Sequence, residues 1–278
     1  MDSTEINPTD PELIDIWQQA LEDVLRVSAS LDDEQWLAAT PCPGWTVADV
    51  VAHLVAIEQV LAGTPQPAHD PDWSLLPHVS NDFGRFTEVG VDARRGHTRE
   101  EVLTELRDAI AIRRAQLDAV PAGEQVIGPL GNPTTIERML RIRTFDTWVH
   151  EQDIRTATAN DGGWDTTPAV IAFQQMIRSL PVAWGKNAQA PVGATVHVNV
   201  TGPGPEADIY VDVIEAGRGQ ACPPVPEPTV SLTLSWPDYM RLSAGRIDVN
   251  DSALRQRIEL TGDVALAEAM LSALTITP

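Results

Sequence analysis

The sequence predicts an α+β protein of two domains, a helical bundle over residues 1–186 and a smaller mixed domain over 187–278. Two patterns carry that reading. From residue 10 to about 160, apolar side chains recur at helical spacing behind capping residues. From Asn187 onward, short alternating runs separated by Pro and Gly take over. The 278 residues, 43% of them hydrophobic, suffice for a core that needs no disulfide or metal to hold it.

Asp10 followed by Pro11 predicts a helix start, and Leu13, Ile16, Trp17, Leu21, Val24 and Leu25 share one face of the helix that follows. Thr40-Pro41-Cys42-Pro43-Gly44-Trp45 reads as a stiff loop, its prolines fixing the backbone and Gly44 permitting a tight turn. Thr46 and Asp49 form a capping-box pattern that opens a second helix to about Leu61. Residues 63–77 read as a long loop. Thr98 with Glu101 and Thr134 with Glu137 repeat the capping pattern, opening helices to about Val120 and, through His150, to about Ala159. Four main helices with long connections predict an antiparallel bundle, and a further helix over about Thr167–Trp184 leads out of it. In the second domain, strands are expected over 195–200, 208–213 and 229–234, then a helix near 236–242, a strand near 256–260 and a final helix over 263–274.

Forty acidic residues against 19 basic ones give a net charge of −21. Such a surface repels phosphate backbones and anionic lipid, so neither nucleic acid nor a membrane is an expected partner. No apolar run is long enough to span a bilayer, and the N-terminus lacks the basic and apolar regions of a signal peptide, so the expected location is the cytoplasm. Cys42 and Cys222 make no disulfide framework. Cys42 is expected to be a small packed residue of its loop, His69, His78 and His97 to be solvated, and His197 to sit exposed opposite Val196 and Val198.

The candidate chemistry lies on the second and fourth main helices. His53 shares a stripe with Val50, Ile57 and Val60, which turns it into the bundle. Asp146 and His150 lie four residues apart, about 40° around the axis, on a stripe with Met139 and Ile142. Asp153 falls within about 20° of Asp146. An inward carboxylate is costly unless paired or metal-bound, and one divalent cation would satisfy His53, Asp146 and His150 together. Two imidazoles and a carboxylate suit zinc or a related first-row metal with a position left open. The same spacing also suits a plain ion pair between Asp146 and His150, with Asp153 paired to Arg155 or Arg143, and spacing does not choose between them.

The stretch Thr40-Pro41-Cys42-Pro43-Gly44-Trp45-Thr46-Val47-Ala48-Asp49-Val50-Val51-Ala52-His53-Leu54 resembles a signature of the mycothiol-dependent maleylpyruvate isomerase family, a group of DinB-like metal-binding helical bundles. Arg143-Thr144-Phe145-Asp146-Thr147-Trp148-Val149-His150-Glu151-Gln152-Asp153-Ile154-Arg155 resembles its second signature. Leu260-Thr261-Gly262-Asp263-Val264-Ala265-Leu266-Ala267 is similar to the family's sterol-carrier-like α+β C-terminal domain. The resemblance implies a DinB-like four-helix bundle with a metal, zinc or a relative, on His53, Asp146 and His150, and Asp153 orienting a ligand. It implies a low-molecular-weight thiol of the mycothiol type, and an isomerase or S-transferase acting on a small electrophilic substrate. Asp146 departs from the pattern, where a glutamate is expected, and is a methylene shorter. Trp45, whose loop feeds the His53 helix, and Arg246 are candidate substrate contacts. Two alternatives are a metal-dependent hydrolase and a non-catalytic metal-binding or regulatory protein.

Overall fold

The computed structural model describes residues 6–121, 123–129 and 131–276. It divides into two compact units, one from Asn7 to Gly162 and one from Gly163 onward that also takes in Ile6. The division falls earlier than the 186/187 boundary expected from the change of pattern. Helix α7 (Thr167–Ile177) is the reason. Its Phe173 meets Trp236 edge-on, ring centroids 5.0 Å apart, and lies 6.4 Å from Tyr239, so it packs with the strand-bearing half.

The first unit is built on α1 (Asp10–Ala29), α3 (Val47–Leu61), α5 (Arg99–Leu117) and α6 (Ile136–Ala157), with the single turn α2 (Asp33–Trp36) and α4 (Asp82–Asp92) added. The caps expected at Thr46 and Thr98 form, each with its acidic partner at the third helical position. Two caps shift by one residue. Thr9, not Asp10, caps α1 and shares a reciprocal bond with Glu12. Thr135, not Thr134, caps α6 by accepting from Arg138 N. A hairpin of β1 (Gln125–Ile127) and β2 (Pro133–Thr135) runs directly into α6.

Helix α4 follows the 63–77 stretch read as loop and escapes the periodic pattern because it holds two glycines, Gly84 and Gly90. Gly90 has a packing reason. A Cβ there would stand 2.4 Å from Ala56 Cβ on α3, so only a bare backbone lets the helices approach this closely.

The second unit carries a five-stranded sheet in the order β5-β4-β3-β6-β7. The single turn α8 (Leu180–Val182) precedes β3 (Thr195–Thr201), β4 (Ala207–Glu215) and β5 (Arg218–Ala221), which pair antiparallel. β6 (Val230–Ser235) lies parallel to β3 and antiparallel to β7 (Glu259–Gly262). Helices α9 (Trp236–Ser243), α10 (Ser252–Arg257) and α11 (Val264–Ala273) complete it. α10 occupies part of the stretch expected as a strand near 256–260, and β7 begins after it. Val196, Val198 and Val200 are buried on one face of β3. On the other face, His197 is half-buried rather than exposed, stacked on Tyr210 at 4.3 Å and bonded to Asp208 at 2.8 Å. No helix among the described residues is long and apolar enough to cross a membrane.

Asp238 of α9 is buried and accepts from Arg257 Nη2 at 2.7 Å and Nε at 2.9 Å. Burial pushes its carboxyl up, but Arg257 and Ser235 outweigh burial and hold it below the ordinary aspartate range.

Two measurements test this packing. Gly90→Ala should destabilise the protein by about 1–3 kcal/mol through overpacking in urea denaturation, while Gly96→Ala, with open space around its Cα, should stay within about 0.5 kcal/mol. For Asp238, the depressed acid constant means the unfolded chain binds the extra proton. Its contribution is present above pH ~4 and is lost as pH falls through the folded value, so Asp238→Asn should lower stability at pH 7 and flatten that acid-side loss.

Candidate metal centre

Helices α3 and α6 bring the predicted residues together. His53, in the second turn of α3, is 3% exposed, and His150 on α6 is 6% exposed. His53 Nε2 lies 3.3 Å from Asp146 Oδ2, and His150 Nε2 lies 3.8 Å from Asp146 Oδ1. One ligand atom from each of the three lies within 4.8 Å of the others. The imidazole centroids are 5.0 Å apart and inclined at 66°. Asp153, 1% exposed, contacts the far nitrogen of His150, Nδ1, at 3.0 Å. That contact fixes the tautomer of His150 and leaves Nε2 facing Asp146.

Helix α6 is buried on nearly every side from Thr147 to Arg155, and its inward row breaks at Ile142, which is 41% exposed. The break has a physical cause. Ile142 lines an open cleft of about 530 Å³ together with His53, Ile57, Arg138, Arg143 and Asp146. The stripe that reads as core is the wall of that cleft.

Asp146 is held by Arg143, whose Nη1 donates to Oδ2 at 2.7 Å. Arg143 is buried, and its Nε donates to Glu58 Oε1 at 2.9 Å. Glu58 is fully buried, accepts from Trp17 Nε1 at 3.3 Å and faces Arg113 at 3.8 Å. Burial alone would push Asp146 up. The Arg143 guanidinium and His53 overcome it and hold the carboxyl well below its ordinary value. Burial lowers the His53 pKa, with Asp146 opposing. His53 Nδ1 is buried with no hydrogen-bond partner.

The Thr40–Trp45 loop covers one side of this group. Gly44 has φ +78°, and a Cβ there would fall 2.3 Å from the His78 ring. Trp45 lies 5.0 Å from the His53 ring and 5.8 Å from His150. Its indole Nε1 donates to Glu88 Oε2 at 2.9 Å. Glu88, on the helix that the sequence pattern misses, also meets His78 at 3.2 Å and accepts from Arg95 Nη2 at 2.6 Å. His78 is therefore half-buried with a structural partner where a solvated ring was expected, whereas His69 and His97 are exposed as expected, beside Asp92 and Glu105. Cys42 is half-buried in its loop. One ligand atom each of Cys42, His150 and Asp153 lies within 4.8 Å of the others, on the Asp153 side of the ring. Arg246 belongs to the second unit, where its Nη1 donates to Ala244 O at 2.9 Å.

The family model of the mycothiol maleylpyruvate isomerase N-terminal domain matches residues 17–155, half of the chain, and spans every residue of this centre. The chain belongs to that family. The SCP-2 sterol transfer family matches residues 173–275, the sheet-bearing unit. Two crystal structures of the mycothiol-dependent maleylpyruvate isomerase share the fold. A histidine-to-alanine mutant aligns at TM-score 0.57 and 12% identity over 95% of this chain and 97% of that one. A second aligns at TM-score 0.53 and 13% identity over 89% and 92%. Two uncharacterized Mycobacterium tuberculosis proteins, one from each of two strains, are 26% identical over 137 residues, 49% of this chain. The chain spans about half the length of these curated relatives, 52%.

Within this mycothiol maleylpyruvate isomerase N-terminal domain, spacing pairs Asp146 with His150 and turns His53 inward, but it shows neither that His53 meets that pair nor that Glu58, Arg143 and Glu88 support it. Glu58 sits five residues after His53 and reads as an ordinary charged position near a helix end. Its burial is a tertiary fact. Glu58→Gln should lower stability by about 3–5 kcal/mol, because it removes one of the two carboxylates that counter the buried Arg143 and the one that faces Arg113. Chemical denaturation with an exposed Glu227→Gln control measures the loss.

Proposed function

We propose that the protein is a metal-dependent enzyme that uses a low-molecular-weight thiol of the mycothiol type to isomerise, or to attach to, a small electrophilic substrate in the cytoplasm. The observation that carries this reading is the convergence of His53, Asp146 and His150 on the wall of an open cleft, in a chain of this family. The donor set of two imidazoles and a carboxylate suits zinc. The orphaned, buried His53 Nδ1 and the burial that lowers that ring's pKa fit a ligand role. When bound there, the ion supplies a Lewis-acid position that draws a thiol toward its thiolate near neutral pH.

The remaining work belongs to the chain's own residues. Asp153 holds His150 in one tautomer and one orientation. Arg143 steadies Asp146 through Oδ2, while Oδ1 faces His150 Nε2 at 3.8 Å. That anchoring compensates for the shorter aspartate side chain. Trp45 screens both imidazoles from water, and Glu88 holds its indole in place. The cleft, with Ile57, Met139 and Ile142 among its apolar surfaces, has the volume of a small-molecule site.

Protein purified without chelator should carry about one divalent ion per chain by plasma emission analysis, and His53→Ala or His150→Ala should lose it. Turnover of electrophiles should require added thiol. Metal-free protein from unchelated preparations, or full turnover without thiol, would overturn the reading.

A further inference from the structure

The cleft carries little negative charge for so acidic a chain. Among its lining residues Asp146 is the one carboxylate, and it is already held by Arg143. Arg138 lies on the same wall and is exposed. Among the described residues its guanidinium meets no carboxylate, no acceptor and no ring. Every other arginine of the helical unit faces a carboxylate, save Arg85, which lies over the Trp73 ring. With 40 acids for 19 bases, an arginine left without an acid is the exception. Its place adds to the effect. Arg138 is in the first turn of α6, where the helix dipole is positive and a cation is disfavoured unless an anion joins it. Arg143, another lining residue, adds a second positive charge to the same wall but is buried and already held by Asp146 and Glu58.

Arg138, Ile142 and Asp146 are successive members of one i, i+4 row, so the wall has an order. A cation stands at one end, an exposed apolar side chain in the middle and the His53–Asp146 group at the other. The two ends are about 12 Å apart along the helix, less the reach of the arginine. Gln125, Asn132 and Thr134 also line the cleft and offer neutral hydrogen-bonding groups.

We propose that Arg138 is a specificity-determining residue that binds the carboxylate of a small substrate, roughly four to seven backbone atoms long, whose other end lies at His53 and Asp146. The identity of the reacting end rests on the proposed function, whereas anion capture by Arg138 does not.

Titration calorimetry with levulinate and with its uncharged amide, on protein stripped of metal and on protein loaded with zinc, tests the assignment. Levulinate should bind both forms at least tenfold more tightly than the amide. Arg138→Gln should weaken levulinate binding about tenfold and leave amide binding, melting temperature and metal content unchanged. Arg138→Lys should recover part of the loss. Equal binding of acid and amide, no binding of levulinate, or unchanged affinity in Arg138→Gln would each overturn it. If the protein held no metal or turned over without thiol while acid binding still depended on Arg138, the enzyme reading would fail and this one would stand.

Discussion

Arg143 lies in the core of the helical unit between two carboxylates, Glu58 of α3 and Asp146 of α6. A buried guanidinium is tolerated only when its charge is countered, and here one carboxylate partner belongs to each helix. The pairing therefore sets the register of α3 against α6, the same two helices that carry His53 and His150. A shift of either helix by one residue would leave a charge uncompensated in the core. The centre inherits its geometry from that constraint, because Asp146 is at once a partner of Arg143 and a neighbour of both imidazoles.

Around this pairing the fold supplies a closed side and an open side. The closed side is the Thr40–Trp45 loop, pressed onto the two histidines and tied through Glu88 to Arg95 and His78. Arg95 also donates to Asp49, the residue that completes the cap of α3, so the cap, the tryptophan and α4 form one connected network. The open side is the cleft along α6, floored by apolar side chains and bounded by arginines. Rigid support on one side and access on the other is the arrangement a reactive centre needs if it is to hold its geometry while exchanging ligands.

The sheet-bearing unit follows separate rules. Its core is one face of β3 with the apolar side chains of β6, and Asp238 with Arg257 ties α9 to the end of α10. Alternation along Val196, Val198 and Val200 is period-2 patterning of the simplest kind, which is why β3 and β6 were readable from local sequence. Strand β5 was not readable, since Arg218-Gly219-Gln220-Ala221 has neither alternation nor β-branched residues. Gly219 is there because Pro181 O approaches to 2.2 Å of where a Cβ would stand.

The sequence by itself determined the fold class, the main helices, the capping boxes at Thr46 and Thr98, and the face of α3 that turns His53 inward. Each of these depends on residues within a turn or two of one another, so spacing records it directly. Tertiary structure decided that His53 meets a pair 93 residues away, that Glu58 and Glu88 are buried, and that α7 packs with the sheet. It also decided that Ile142 faces a cleft rather than the core. Those facts depend on which helix lies against which, and on whether a neighbouring element covers a given face. An isolated pattern of apolar and charged residues holds no record of either.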